Sequence, residues 1–155
     1  MSINARIHDA LELQKIERNE GALTLVLAAI SATSRKRYPK NAGHTDKEAF
    51  TKFLGQDLYT AFPGRCGDGL KIRFRGEALS LQDMLYKFVR CELAHEAELP
   101  VDVYFYPDDK IGFQIRDTKV GFSEELINAL MYVVVKAPEN EGLFSGIAIT
   151  PPQNK

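Results

Sequence analysis

SLQDMLYKFVRCELAHEAELP, residues 80–100, decides how this chain is read, because it writes one helix whose character changes from end to end. Ser80 is a good N-cap with Asp83 beside the positive end of the helix dipole, and Pro100 limits how far the helix runs. At about 100° per residue, Leu81, Met84, Leu85 and Phe88 fall on one side. His95 falls on that side too, with Glu92 near it and Glu96 at its edge. Arg90 points away, together with Asp83, Tyr86 and Ala97, because a five-residue step on a straight helix lands about 140° from coincidence. A face that is apolar in its first turns and then turns into Glu92, His95 and Glu96 leaves the core, to meet solvent, a groove or a second chain. The structural readings of the two residues are a hydrogen-bonded core histidine and a surface arginine in an ion pair. The chemical one joins a permanent cation that clamps phosphate to a side chain that moves protons near neutral pH.

Working outward, Ile3, Ile7, Ala10, Leu11 and Leu13 recur at helical steps and predict a first helix ending near residues 19–21. Residues 22–32 are nearly all apolar and turn basic at Arg35, Lys36 and Arg37 before Pro39, which predicts a buried central helix with a cationic end. That triplet reads first as helix-end electrostatics and second as a patch for RNA phosphates. Thr45 and Glu48 make a capping box for a helix running toward Leu54, followed by short amphipathic pieces to Phe62. Pro63, Gly64, Gly67 and Gly69 mark an irregular loop. Leu70, Ile72 and Phe74 then alternate with Lys71, Arg73 and Arg75 as a short strand with a basic face.

Residues 101–106 and 111–115, joined across Pro107 and Lys110, have the alternation of a β-hairpin. Ser123 is read as the cap of a last helix with Leu126, Leu130, Val133 and Val134 as its buried stripe, stopped by Pro138. The fold class expected is therefore mainly α, a helical bundle with a small β-hairpin insert near 101–122. Residues 1–140 form one domain and 141–155 a loosely held C-terminal tail.

Bulk properties narrow the function. The chain has 155 residues, 45% of them apolar, enough for one real core. A formal charge of −1 and a pI near 6.3 exclude a general electropositive coat, so any polyanion site is local. Cys66 and Cys91 form neither a disulfide framework nor a zinc spacing, and no signal-like or bilayer-spanning stretch is present, which points to the cytoplasm and away from the membrane. Glu92-x-x-His95 is half of a carboxylate-histidine metal motif, but no second copy exists, and His8 and His44 lack matching carboxylates. Neither a metal nor another cofactor is expected.

The stretch LYKFVRCELAHE resembles the signature helix of the HEPN superfamily, the higher eukaryotes and prokaryotes nucleotide-binding domains, through Arg90-CELA-His95. The resemblance is firm over 85–100 and diffuse elsewhere. It implies a HEPN-type bundle acting as a homodimer, and a metal-independent endoribonuclease of toxin-antitoxin or defence systems, with RNA as substrate and a cognate antitoxin as partner. In that reading Arg90 holds the scissile phosphate and His95 is acid or base, while Glu92 or Glu96 orients the imidazole. The residue after the arginine is often Asn, Asp or His in active members, whereas here it is Cys91, a weak hydrogen-bond donor. The alternative is a non-catalytic HEPN-like module that binds RNA, a nucleotide or a protein partner.

Overall fold

The computed structural model of the protein describes residues 1–63 and 70–151. Cys66 and the glycines expected in a loop after Pro63 lie outside the described residues, as does the end of the tail from 152. In order, the chain forms α1 (Ile3–Lys15), α2 (Asn19–Arg37), α3 (Asp46–Ala61), β1 (Ile72–Phe74), β2 (Glu77–Leu79), α4 (Leu81–Met84), a π-helical turn (Leu85–Arg90), α5 (Cys91–Glu96), β3 (Val103–Tyr106), β4 (Phe113–Arg116), β5 (Lys119–Ser123) and α6 (Glu124–Lys136).

α2 is the centre. Its apolar run buries Leu23, Val26, Leu27 and Ile30 completely, with α1, α3 and α6 packed around it. The first helix stops at Lys15, short of the expected 19–21, because Glu17 turns into the left-handed region at φ 59° and lets α2 begin at Asn19. Thr45 and Glu48 form the expected capping box, and α3 continues unbroken to Ala61. Ser80 accepts a hydrogen bond from the Asp83 amide at 3.2 Å and opens α4 as read from the sequence.

The expected mainly helical bundle with one β-hairpin insert is overturned: the architecture is mixed α/β, with a two-stranded and a three-stranded sheet. β1 and β2 form a hairpin whose two turn residues, Arg75 and Gly76, both have positive φ, the geometry that matches strand twist in a two-residue loop. Residues 101–106 and 111–115 do not pair with each other. β5 lies between them, parallel to β3 and antiparallel to β4, giving the order β3-β5-β4. The tight turn at Asp117, φ 55°, folds β5 back on β4, and β5 then presents its other edge to β3. Gly121 permits this layer: a Cβ there would sit 2.5 Å from the Tyr104 ring. Gly121→Ala is expected to destabilise the fold by about 1–3 kcal/mol through overpacking, read as a lowered urea midpoint, and an unchanged midpoint would refute the close approach.

Ser123 occupies the N-cap position of α6, but its hydroxyl accepts from the Gly112 amide at 2.9 Å and ties the helix start to the strand connection. The stripe of Leu126, Leu130, Val133 and Val134 is buried as expected. The tail, expected to be loosely held from Glu141, places Phe144, Ile147 and Ile149 against the core. The Leu143 carbonyl accepts from Asn4 Nδ2 at 2.7 Å.

Candidate functional site: a cationic groove on the central helix

The π turn sets the geometry of the site. On a continuous α-helix, Phe88, Glu92 and His95 would follow Leu81 and Leu85 into the core. A π turn spends one extra residue before closing its hydrogen bonds, so every later side chain lags by about one position. Val89 and Leu93 are buried instead, Glu92 is half-buried, and His95 and Glu96 are exposed. His95 is thus not the core histidine of the structural reading, and among the described residues it makes no hydrogen bond to Arg90.

The same lag turns Arg90 toward α2. Its Nε donates to Ser31 Oγ at 3.0 Å, and its guanidinium lies 4.9 Å from the Tyr86 ring centroid. Tyr86 rests in turn on Phe50, with ring centroids 5.3 Å apart. Ser31 passes its own proton to the Leu27 carbonyl at 3.0 Å, so the hydroxyl is fixed as the acceptor for Arg90. Among the described residues the two Nη groups of Arg90 have no hydrogen-bond acceptor.

Arg90 lines a groove of about 390 Å³ between α2 and α5, and Arg6, from α1, lines the same groove. Its floor is aliphatic: Leu27 and Leu93 lie beneath Ala28, Ala32 and Ala94, whose short side chains keep the space open. Small residues at helical spacing on α2 were visible in the sequence, yet they read there as core. The charge of the lining is cationic: among the described residues it carries two arginines, Arg6 and Arg90, and no carboxylate. Volume and lining are those of a small-molecule site.

The other residues singled out in the sequence are placed elsewhere. Cys91 donates its thiol to the Tyr86 carbonyl at 3.3 Å, five residues back, where the widened turn offers an acceptor. Glu92 pairs with Arg75 at 3.2 Å, and Arg75 also grips Asp102 through two bonds of 2.9 Å each. Those bonds hold the Asp102 carboxyl below its ordinary value. Glu96 projects from the last turn, which ends at Ala97 in the left-handed region, and the Leu99 amide is anchored to Glu20 at 2.6 Å.

The basic triplet is taken up internally. Arg35 binds Asp46 and the Tyr38 and His44 carbonyls, and Lys36 reaches Asn140 Oδ1 at 3.1 Å. Arg37 bridges Asp57 and Glu139, at 2.7 Å to each. A second depression of about 620 Å³ borders this bridge and is lined by Lys136 as well, but there the Arg37 guanidinium is already neutralised by its two carboxylates. Among the described residues no group of three His, Cys, Asp or Glu side chains is placed to hold a metal ion, and no helix is long and apolar enough to cross a membrane.

Fold and groove together define a mixed α/β domain built on a central helix that carries one arginine-flanked apolar groove. Within that class the chain belongs to the Rv1289 family, whose family model matches residues 2–150. No curated protein and no solved structure matches it.

Proposed function

We propose that this chain is a binding module that takes a small organic anion in the groove between α2 and α5. One observation carries the reading: two arginines from different parts of the chain, Arg6 and Arg90, line a single largely aliphatic cavity. Arg90 is pre-positioned by Ser31 and Tyr86, so little side-chain entropy is lost when its Nη groups meet an anion. Arg90→Gln is expected to remove binding of small anions measured by calorimetry while leaving the melting temperature within a few degrees. Undiminished binding would sink the assignment.

Metal-independent RNA cleavage, the activity implied by the HEPN resemblance, needs Arg90 and His95 at one phosphate. His95 is exposed and is not among the residues that line the groove with Arg90, so this reading calls on a second copy to bring its His95 over the groove. A mixed RNA pool incubated with pure protein in EDTA is expected to stay intact. Cleavage that disappears in His95→Ala would return the homodimeric endoribonuclease, and with it an antitoxin partner, to first place.

A further inference from the structure

We infer that the ligand of this groove is a phosphate monoester of an aliphatic alcohol, an inference that rests on the groove being a binding site. The head is argued from the donors. Ser31 occupies Nε of Arg90 and Tyr86 covers one face of the guanidinium, which leaves the Nη edge for an incoming group. A carboxylate is satisfied by one such fork. A second guanidinium, Arg6, on the same cavity favours a head with more oxygens and more charge. A phosphate monoester offers three acceptor oxygens and about −1.5 to −2 charges at neutral pH.

The body is argued from the floor. Leu27, Ala28, Ala32, Leu93 and Ala94 supply methyl and methylene surface, with no aromatic ring in the lining to stack a base. The hydroxyls that line the groove are spoken for as donors: Thr24 gives its proton to the Glu20 carbonyl at 2.9 Å and Ser31 to the Leu27 carbonyl. The aliphatic side chains of the floor offer no hydrogen-bonding group to the edge of a nucleobase or to the hydroxyls of a sugar. Aliphatic surface buried against this floor contributes affinity in proportion to the area removed from water. The same chemistry is presented by a soluble alkyl phosphate and by a phosphatidate head with the first carbons of its chains.

Calorimetric titration of the full chain with hexyl phosphate, hexanoate, inorganic phosphate and adenosine monophosphate tests this. Hexyl phosphate is expected to bind at least about tenfold more tightly than each of the other three. Arg90→Lys, which keeps the charge and loses the fork, is expected to weaken it by about tenfold. Ala94→Leu, at an exposed helical position, is expected to weaken hexyl phosphate by a larger factor than inorganic phosphate, since it fills the space of the aliphatic body.

Hexanoate or adenosine monophosphate binding as tightly as hexyl phosphate, in an Arg90-dependent way, overturns the ligand class and leaves the groove reading standing. Binding of none of the four, or binding indifferent to both substitutions, overturns the groove reading itself. Where hexyl phosphate binds as expected, pelleting of the protein with phosphatidate vesicles, competed by hexyl phosphate, supports the class with a lipid source. Absence of pelleting supports it with a soluble one.

Discussion

Arg37→Met is expected to destabilise the protein by about 1–3 kcal/mol, the cost of leaving two half-buried carboxylates without their hydrogen-bonded cation. Arg37 lies at the end of α2, donates to both Asp57 oxygens at 2.7 and 3.1 Å, and to both Glu139 oxygens at 2.7 and 3.0 Å. Its guanidinium also covers the Phe53 ring at 4.6 Å. The three side chains are 18–20% exposed, well below the level at which solvent reduces an ion pair to a few tenths of a kcal/mol. This bridge fastens α2 to α3 and to the turn Pro138–Asn140 that follows α6. Equilibrium urea unfolding measures the effect. A loss below about 1 kcal/mol would show that the bridge behaves as a surface pair.

The pH dependence of the same variant gives an independent check. Hydrogen bonds from Arg37, first of all, hold the Glu139 carboxyl below its ordinary value of 4.5. A carboxyl depressed on folding adds stability that is present above its unfolded pKa and is lost as pH falls through its folded pKa. The wild type is therefore expected to lose this contribution on acidification below about pH 5, and Arg37→Met to show a shallower acid limb. Asp102 and Asp46, depressed by Arg75 and Arg35, keep their share of the slope in both proteins. Equal limbs in the two proteins would deny the linkage.

What the sequence made legible follows from how local the signal is. The capping box at Thr45 and Glu48, the cap at Ser80 and the buried stripe of α6 depend on neighbours within one or two turns, and all three stand. The sheet was misread because strand adjacency is not local. Alternation identified residues 101–106 and 111–115 as strand-like, but nothing in either segment says that β5 enters between them. The basic triplet shows the same limit: its position at the end of a helix was plain, while Asp46, Asp57 and Glu139, which take up its charge, come from distant chain. The groove was hidden for a related reason. Arg6 stands 84 positions before Arg90, and the alanines of its floor look like core until α5 is seen to stand away from α2.

Removing a single residue from two helices of this protein is expected to have opposite outcomes, because one helix already carries a surplus residue. In α2, deletion of Leu25 rotates everything beyond it by about 100°. Val26, Leu27 and Ile30 leave the core, and Arg37 leaves Asp57 and Glu139. That loss exceeds the roughly 5–15 kcal/mol that holds a domain of this kind together, so the variant should not fold. In the π turn, deletion of Lys87 removes the residue by which the turn exceeds an α-helical one. Val89 and Leu93 then occupy the phase that a regular helix assigns to the core after Leu81 and Leu85. The exposed pair with Glu77 is lost, at a cost of about 0–1 kcal/mol. The Cys91 thiol loses its acceptor as the Tyr86 carbonyl returns to the backbone ladder. Circular dichroism and urea unfolding should find the Lys87 deletion folded and cooperative, with Arg90 still on the groove and anion binding retained. If it unfolds like the Leu25 deletion, the π turn is not a one-residue phase shift, and the change of face first seen at Glu92 and His95 needs another cause.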